Sequence, residues 1–264
     1  MPQLGYLDHV GGGTTDADIN VFGPIARSAA DLDLLLGVLA GPEPERATAW
    51  RLELPEPGGR SLADYRIGTW LDDPACPVDR EYGELMRRVA DQLSDVGAKV
   101  EESHPDVAFG EQLETFMHLI MAAVSPSLPD DAADASSGSH RAWLRHNEDR
   151  ARLREAWAKW FEGHDILLCP VAVIPAFPHD HEGDVLTRTV EVNGVRRTHI
   201  DVVQWAGLIG VVGLPSAVPP IGRTSAGLPV GMQVVAPYLF DRRAVHVAGL
   251  VADVTGGYAV PPGF

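Results

Sequence analysis

A serine hydroxyl becomes a useful nucleophile only when a base sits within reach of it. The sequence offers two lysines for that role, Lys99 and Lys159. Lys99 follows a Gly97-Ala98 turn and is expected to point to solvent, while Lys159 lies between Trp157 and Trp160 on a helical stretch. Neither fits the setting in which a lysine activates a serine. Ser136-Ser137-Gly138-Ser139 has the composition of a Gly/Ser loop, but it follows Asp130-Asp131 in an acidic linker with no strand leading into it. His179-Asp180-His181-Glu182 alternates imidazoles that can converge on one ion. Convergence needs a third ligand, and Pro175 and Pro178 mark this stretch as a loop, so no metal is assigned. Gly11-Gly12-Gly13-Thr14-Thr15 lacks the lysine and the preceding strand of a phosphate-cradling loop. Cys169 has no paired base in sequence to make it a nucleophile.

Positioning any of these groups requires elements. Residues 1–21 are turn-rich and show no sustained period, which predicts a loop. Ser28 can cap a helix carrying Leu32, Leu35, Leu36 and Leu39 on one face, stopped by Gly41-Pro42. A Pro- and Glu-rich connector at 42–59 leads to a short strand at 65–70, a helix at 80–96 and a second strand at 98–102, together a parallel β-α-β unit. Helices are expected at 111–125 and 140–162, with an exposed loop at 126–139 between them. Asp165-Ile166-Leu167-Leu168-Cys169-Pro170 reads as a buried strand that delivers residues to a crevice. Asn193-Gly194 inside an alternating stretch at 188–197 is the strongest hairpin signal. A helix near Val202, strands at 213–220 and 228–235, and a helix at 241–254 complete the order.

Composition narrows the class. With 45% hydrophobic and 22% charged residues the chain is an ordinary globular sequence, read as one α/β domain over residues 1–264. Thirty-seven acidic residues against 21 basic ones give a net charge of −16, so nucleic acid and anionic membrane surfaces are excluded as partners. No apolar run approaches the roughly 18 residues of a bilayer span. The two cysteines, Cys76 and Cys169, form neither a disulfide framework nor zinc spacing, so a cytoplasmic setting is expected.

Four segments in this order resemble the amidase-signature family. They are Phe22-Gly23-Pro24-Ile25-Ala26-Arg27-Ser28 with the Asp31-Leu32 helix, the strand at 165–175, Gly213-Leu214-Pro215-Ser216-Ala217-Val218-Pro219, and Gly227-Leu228-Pro229-Val230-Gly231-Met232-Gln233-Val234-Val235. The resemblance implies a mixed β-sheet flanked by helices on both faces. It also implies hydrolysis of a small-molecule carboxamide through a serine acyl-enzyme, with no cofactor. In that family a lysine and a bridging serine activate the nucleophile, and all three lie upstream of the Gly-Pro motif, which begins here at Gly23. Carried over residue by residue, the resemblance gives no catalytic residue here. The expectation is a chain inactive alone, part of an amidase cut short by a misassigned gene start or by a split gene whose separate N-terminal amidase segment completes it. The alternative is a non-catalytic, amidase-like binding or assembly partner.

The resemblance also implies an acyl-pocket wall made of Phe22, Gly23, Ile25, Cys169, Ile174, Trp205, Ile209 and Val212. That lining is apolar and suits an uncharged acyl group, with Trp205 its bulkiest member. Without the upstream segment, apolar faces should meet water. Exposing on the order of 1,000 Å² forfeits on the order of 25 kcal/mol at about 25 cal/mol per Å², more than the roughly 5–15 kcal/mol of a typical protein. Aggregation or a loose homo-oligomer is the expected result for the chain alone.

Overall fold

The computed structural model describes residues 2–4, 16–21, 23–42, 44–127, 137–182, 187–261 and 263. Its centre is a five-stranded mixed sheet of β3 (Arg66–Thr69), β4 (Lys99–Glu102), β5 (Ile166–Cys169), β8 (Ser216–Ala217) and β11 (Gln233–Val235), ordered β4-β3-β5-β11-β8. β3 runs parallel to both β4 and β5, and β11 runs antiparallel to β5 and β8. Ile166, Leu167, Leu168 and Cys169 are all fully buried, as a strand covered on both faces requires.

Helices cover both faces. α2 (Arg80–Asp95) and α6 (Asp241–Thr255) pack together on one side, against β4, β9 (Pro220–Arg223) and β11. α3 (Phe109–Val124), α4 (His140–Trp160) and α5 (Gln204–Val211) pack together on the other. Gly68 in β3 shows how close the second layer comes: a Cβ there would stand 2.7 Å from the Ser103 carbonyl and strike the Trp160 ring. α1 (Ala29–Leu39) lies outside both layers and packs on α6, where a Cβ at Gly249 would stand 2.9 Å from the Ala29 methyl.

The helix starts follow local chemistry. Ser28 accepts from the Asp31 N–H at 3.1 Å, Asp79 from Tyr82 N–H and Ser139 from Ala142 N–H, each satisfying a donor the helix leaves unpaired. Asn193 and Gly194 both adopt positive φ, 53° and 81°, between β6 (Thr189–Val192) and β7 (Val195–Thr198), as a tight hairpin of this type demands.

Three expectations change. The N-terminal stretch contains a strand pair, β1 (Pro2–Leu4) with β2 (Asp16–Val21), although Gly11 to Thr15 lie outside the described residues. The strand expected at 213–220 is two pieces, β8 and β9, and the one at 228–235 is likewise β10 (Pro229–Gly231) and β11, with β9 and β10 paired in their own sheet. Pro219 and Pro220 have no N–H to keep a single ladder running, and the Pro219 carbonyl instead accepts from Met232 N–H at 3.3 Å where the chain changes sheet. The leucines of α1 do not share one buried face: none is buried, Leu32 and Leu36 are half-covered, and Leu35 and Leu39 are exposed. Of the loop expected at 126–139, residues 128–136 lie outside the described residues.

Candidate functional site

The C-terminal end of β5 meets the start of β11, and one side chain there ties several segments together. Gln233, 4% exposed, is the first residue of β11 and pairs with Cys169 across the sheet. Its Nε2 donates to the Pro170 carbonyl at 2.7 Å and to the Trp205 carbonyl at 3.3 Å, and lies 3.5 Å from Cys169 Sγ. Its Oε1 accepts from the Ser216 hydroxyl at 3.1 Å. Three segments distant in sequence are thus fixed to one primary amide in a water-poor setting, where each such bond counts for more than at the surface.

The turn after β5 is held from a second side. Tyr82 on α2 donates its hydroxyl to the Gly231 carbonyl at 2.5 Å and accepts from Val171 N–H at 3.2 Å. Asp79 N–H donates to the Val173 carbonyl at 2.7 Å. Asn193 seats the β6–β7 hairpin on the start of the same helix: its Oδ1 accepts from Arg80 N–H and its Nδ2 donates to the Val78 carbonyl, both at 2.9 Å.

Trp205 stands in the first turn of α5. It is fully buried, its Nε1 donates to the Cys76 carbonyl at 3.0 Å, and its ring meets Trp70 and Phe109 edge-on at centroid distances of 5.6 and 4.9 Å. Just before the helix, buried Asp201 accepts from Arg197 Nε at 2.5 Å, Thr198 Oγ1 at 2.6 Å and Gln204 Nε2 at 2.8 Å. Gln204 Oε1 is buried with no donor among the described residues. At the far end of α5, the Val212 carbonyl accepts from Arg154 Nε at 3.0 Å.

The residues read from sequence therefore divide. Cys169 and Trp205 meet through Gln233, with Ile209 and Val212 on or beside the helix that carries Trp205; all four are buried. Ile174 is half-buried. Gly23 is exposed and Ile25 is 97% exposed, and Phe22 lies outside the described residues. Two open clefts lie elsewhere. One of about 190 Å³ beside the end of β3 is lined by Leu71, Asp72, Asp79, Arg80, Arg87 and Asn193 among others, and one of about 360 Å³ runs between α1 and α6.

Burial governs both cysteines. Burial pushes the Cys169 thiol far above its ordinary range, only partly offset by Gln233, and pushes Cys76 up to about 12. Lys99 and Lys159 are exposed. Ser139 serves as a helix cap, and Ser136 lies outside the described residues. The His179 and His181 rings sit 5.7 Å apart, and no group of three or more metal-binding side chains forms among the described residues. Nor is any described helix long and apolar enough to cross a membrane. Gln233 and Tyr82 were not singled out from sequence. The available signal for Gln233 was a polar side chain inside the apolar run Met232 to Val235, which must find partners when that run is buried.

A mixed sheet wrapped by helices, with segments converging at its strand ends, is the architecture of an α/β enzyme scaffold. The profile of the Amidase family matches residues 2–127 and 118–245, and the chain belongs to this family, that of the amidase-signature proteins. It is 22% identical over 304 aligned residues to a glutamyl-tRNA(Gln) amidotransferase subunit of Acaryochloris marina, covering 99% of this chain and 61% of that one. It is 25% identical to the indoleacetamide hydrolase of Bradyrhizobium diazoefficiens, covering 89% and 46%. Among solved structures, a bacterial aryl acylamidase of the amidase-signature family superposes with a TM-score of 0.69 at 21% identity, over 88% of this chain and 52% of that one. A chain from a vestigial protein complex that reveals the evolutionary origins of an s-triazine catabolic enzyme reaches 0.73 at 20% identity, over 97% and 58%. The chain thus spans about half to three-fifths of the length of these relatives.

Proposed function

We propose that these 264 residues are the scaffold and one pocket wall of a carboxamide hydrolase that works through a serine acyl-enzyme. The lysine, the bridging serine and the nucleophile come from residues other than these. The observation that carries the reading is the convergence on Gln233 of the Cys169-Pro170 turn, the Trp205 helix and Ser216. Cys169-Pro170, Ser216 and Gln233 itself belong to three of the four segments that resemble the amidase family, and one buried amide fixes their relative position. A pocket wall must hold its shape while a tetrahedral intermediate forms and collapses. A wall whose backbone carbonyls are pinned from within meets that need.

In this reading the half-buried Ile174 presents apolar surface to an uncharged acyl group, and the buried Ile209 and Val212 at the end of α5 back it. Trp205 sits behind them as support, since its ring is enclosed by Trp70 and Phe109. Gln204 Oε1, an acceptor without a donor among the described residues, lies at the start of that helix. The test is a panel of aliphatic and aromatic amides offered to the chain alone at high concentration. No turnover is expected. Turnover abolished by a serine-directed covalent inhibitor, with the label on a serine of this chain, would sink the proposal.

A second reading, an amidase-like protein that binds and does not catalyse, draws on the continuous buried core these elements form among themselves. It is favoured if supplying an amidase segment with the lysine and serines produces no hydrolysis.

A further inference from the structure

The cleft between α1 and α6 has unevenly charged walls. Ala29 stands beside Gly249 and Asp33 beside Arg242, so the two helices run in opposite directions along it. Its floor is small and apolar, from Ala29, Ala30, Gly249 and Leu250. Three carboxylates, those of Asp33, Glu56 and Asp253, line it against a single guanidinium, that of Arg242. At about 360 Å³ it has the volume of a small-molecule site.

The pairing inside the cleft is incomplete. Arg242 lies 3.9 Å from Asp33 and 3.5 Å from Glu56, and its buried Nε has no hydrogen-bond acceptor among the described residues. His246, one turn further along α6, has a buried Nε2 that is equally unpartnered there. Asp253 is exposed and pairs with nothing among the described residues. Buried nitrogens without partners are costly. A ligand that donates to the carboxylates and to His246, and lets Arg242 turn out toward Glu56 and water, relieves both. The surplus of negative charge over Arg242 calls for a dication. No group of three or more metal-binding side chains forms among the described residues, and the apolar floor suits an alkyl chain, so the cation is organic.

The two acidic ends set its length. Asp33 lies one turn beyond Ala29 on α1 and Asp253 one turn beyond Gly249 on α6, which separates their levels by about 12 Å. Side chains lean toward the N-terminus of their own helix, and in antiparallel helices that brings these two carboxylates toward one another. A charge-assisted bond of about 2.8 Å at each end then leaves about 6 Å between the ligand's nitrogens, the reach of a butane- or pentane-diamine.

We infer that the α1–α6 cleft is a binding site for a short linear aliphatic diamine. One ammonium is held by Asp33 and His246 Nε2, the other by Asp253, and the methylene chain lies on Ala29 and Gly249. His246 accepts in the tautomer that carries its hydrogen on Nδ1. Asp33 exchanges a guanidinium beyond hydrogen-bond range for a direct N–H donor. None of these residues belongs to the proposed acyl-pocket wall, so the site stands or falls apart from the hydrolase reading.

The test is isothermal titration calorimetry of the full chain at low salt, with proton NMR of the His246 ring as a second readout. Putrescine and cadaverine should bind saturably, compete with each other and shift the His246 signals. Ethylenediamine, too short to bridge, and pentylamine, with a single ammonium, should bind about tenfold or more weakly, as the loss of one charge-assisted pair predicts. Asp33→Asn and Asp253→Asn should each weaken cadaverine about tenfold. Both side chains reach solvent, so the unfolding midpoint should hold. If either variant unfolds early, the diamine series on wild type decides alone. Equal affinity for pentylamine and cadaverine, or for wild type and both variants, would reduce the binding to the chain's overall charge of −16 and overturn the site. So would the absence of saturable binding in both readouts. Saturable binding of glutarate in place of cadaverine would assign Arg242 and His246 to an anion instead.

Discussion

Replacing Gln233 with leucine removes the amide that joins three segments and leaves the backbone where it is. Leucine has nearly the same reach but cannot donate, so the Pro170 and Trp205 carbonyls lose the donor that stands 2.7 and 3.3 Å away, and the Ser216 hydroxyl loses its acceptor. A buried acceptor left unsatisfied costs about 1–3 kcal/mol. Part of this is offset because the incoming side chain is apolar in an apolar strand, so a net loss of about 2–4 kcal/mol is expected. The assay is urea unfolding at neutral pH, with the midpoint falling and the slope unchanged. Cys169 supplies a local readout. Its thiol is fully buried and hydrogen-bonded to Gln233, so a thiol reagent should label it slowly in wild type and much faster in the variant, whereas Cys76 keeps its rate. A stability loss under about 0.5 kcal/mol with unaltered Cys169 labelling would show that Gln233 is not the tie described, since surface changes away from such features fall in that range.

Burial alone would raise the Asp165 carboxyl, but hydrogen bonds from the Arg66 side chain and N–H and the charge of Arg243 outweigh it and hold the group below its ordinary range. A depressed folded value gives stability that is present above the unfolded pKa of about 3.9 and lost as pH falls below it. Asp165→Asn should therefore cost about 1–2 kcal/mol at pH 7, and that difference should shrink toward zero in unfolding curves taken below about pH 4; a constant difference across the range would refute the coupling. Gly68→Ala should destabilise by about 1–3 kcal/mol, because the new methyl meets the Ser103 carbonyl and the Trp160 ring, and thermal unfolding reads it directly. Trp205→Ala should cost about 3–5 kcal/mol by leaving a cavity between Trp70 and Phe109, read by the same urea titration. The shape of the acyl pocket is therefore better probed at the half-buried Ile174, where Ile174→Val in a complete enzyme should shift the preference between small and bulky acyl groups with little loss of stability.

Most of the elements were legible because the physics that sets them is local. The Ser28 cap, the positive-φ pair Asn193-Gly194, and the all-apolar run before Pro170 each announce themselves within a few residues. The misreadings arise where the deciding contact is distant. Nothing within 213–220 says that Pro219 will hand its carbonyl to Met232 and pass the chain to another sheet. β2 alternates Asp16, Asp18 and Asn20 with Ala17, Ile19 and Val21, but so briefly that only its pairing with β1 makes it a strand. The leucines of α1 fit a helix, and nothing in their spacing tells which side has a neighbour. At the candidate site, sequence supplied Cys169, Trp205, Ile209 and Val212, while Gln233, the residue that joins two of them, was hidden in a strand where a single polar letter carries little weight.

The pairing of α1 with α6 also fixes an order of events during synthesis. α1 leaves the ribosome well before the helix it rests on, and the whole central sheet is made in between. The same holds, less severely, for β5, whose antiparallel neighbour β11 comes a whole hairpin and helix later. Through that interval Leu32, Leu36 and their neighbours lack the α6 side of their packing. Contacts so distant along the chain close slowly, and the nascent apolar helix is exposed to mispairing until they do.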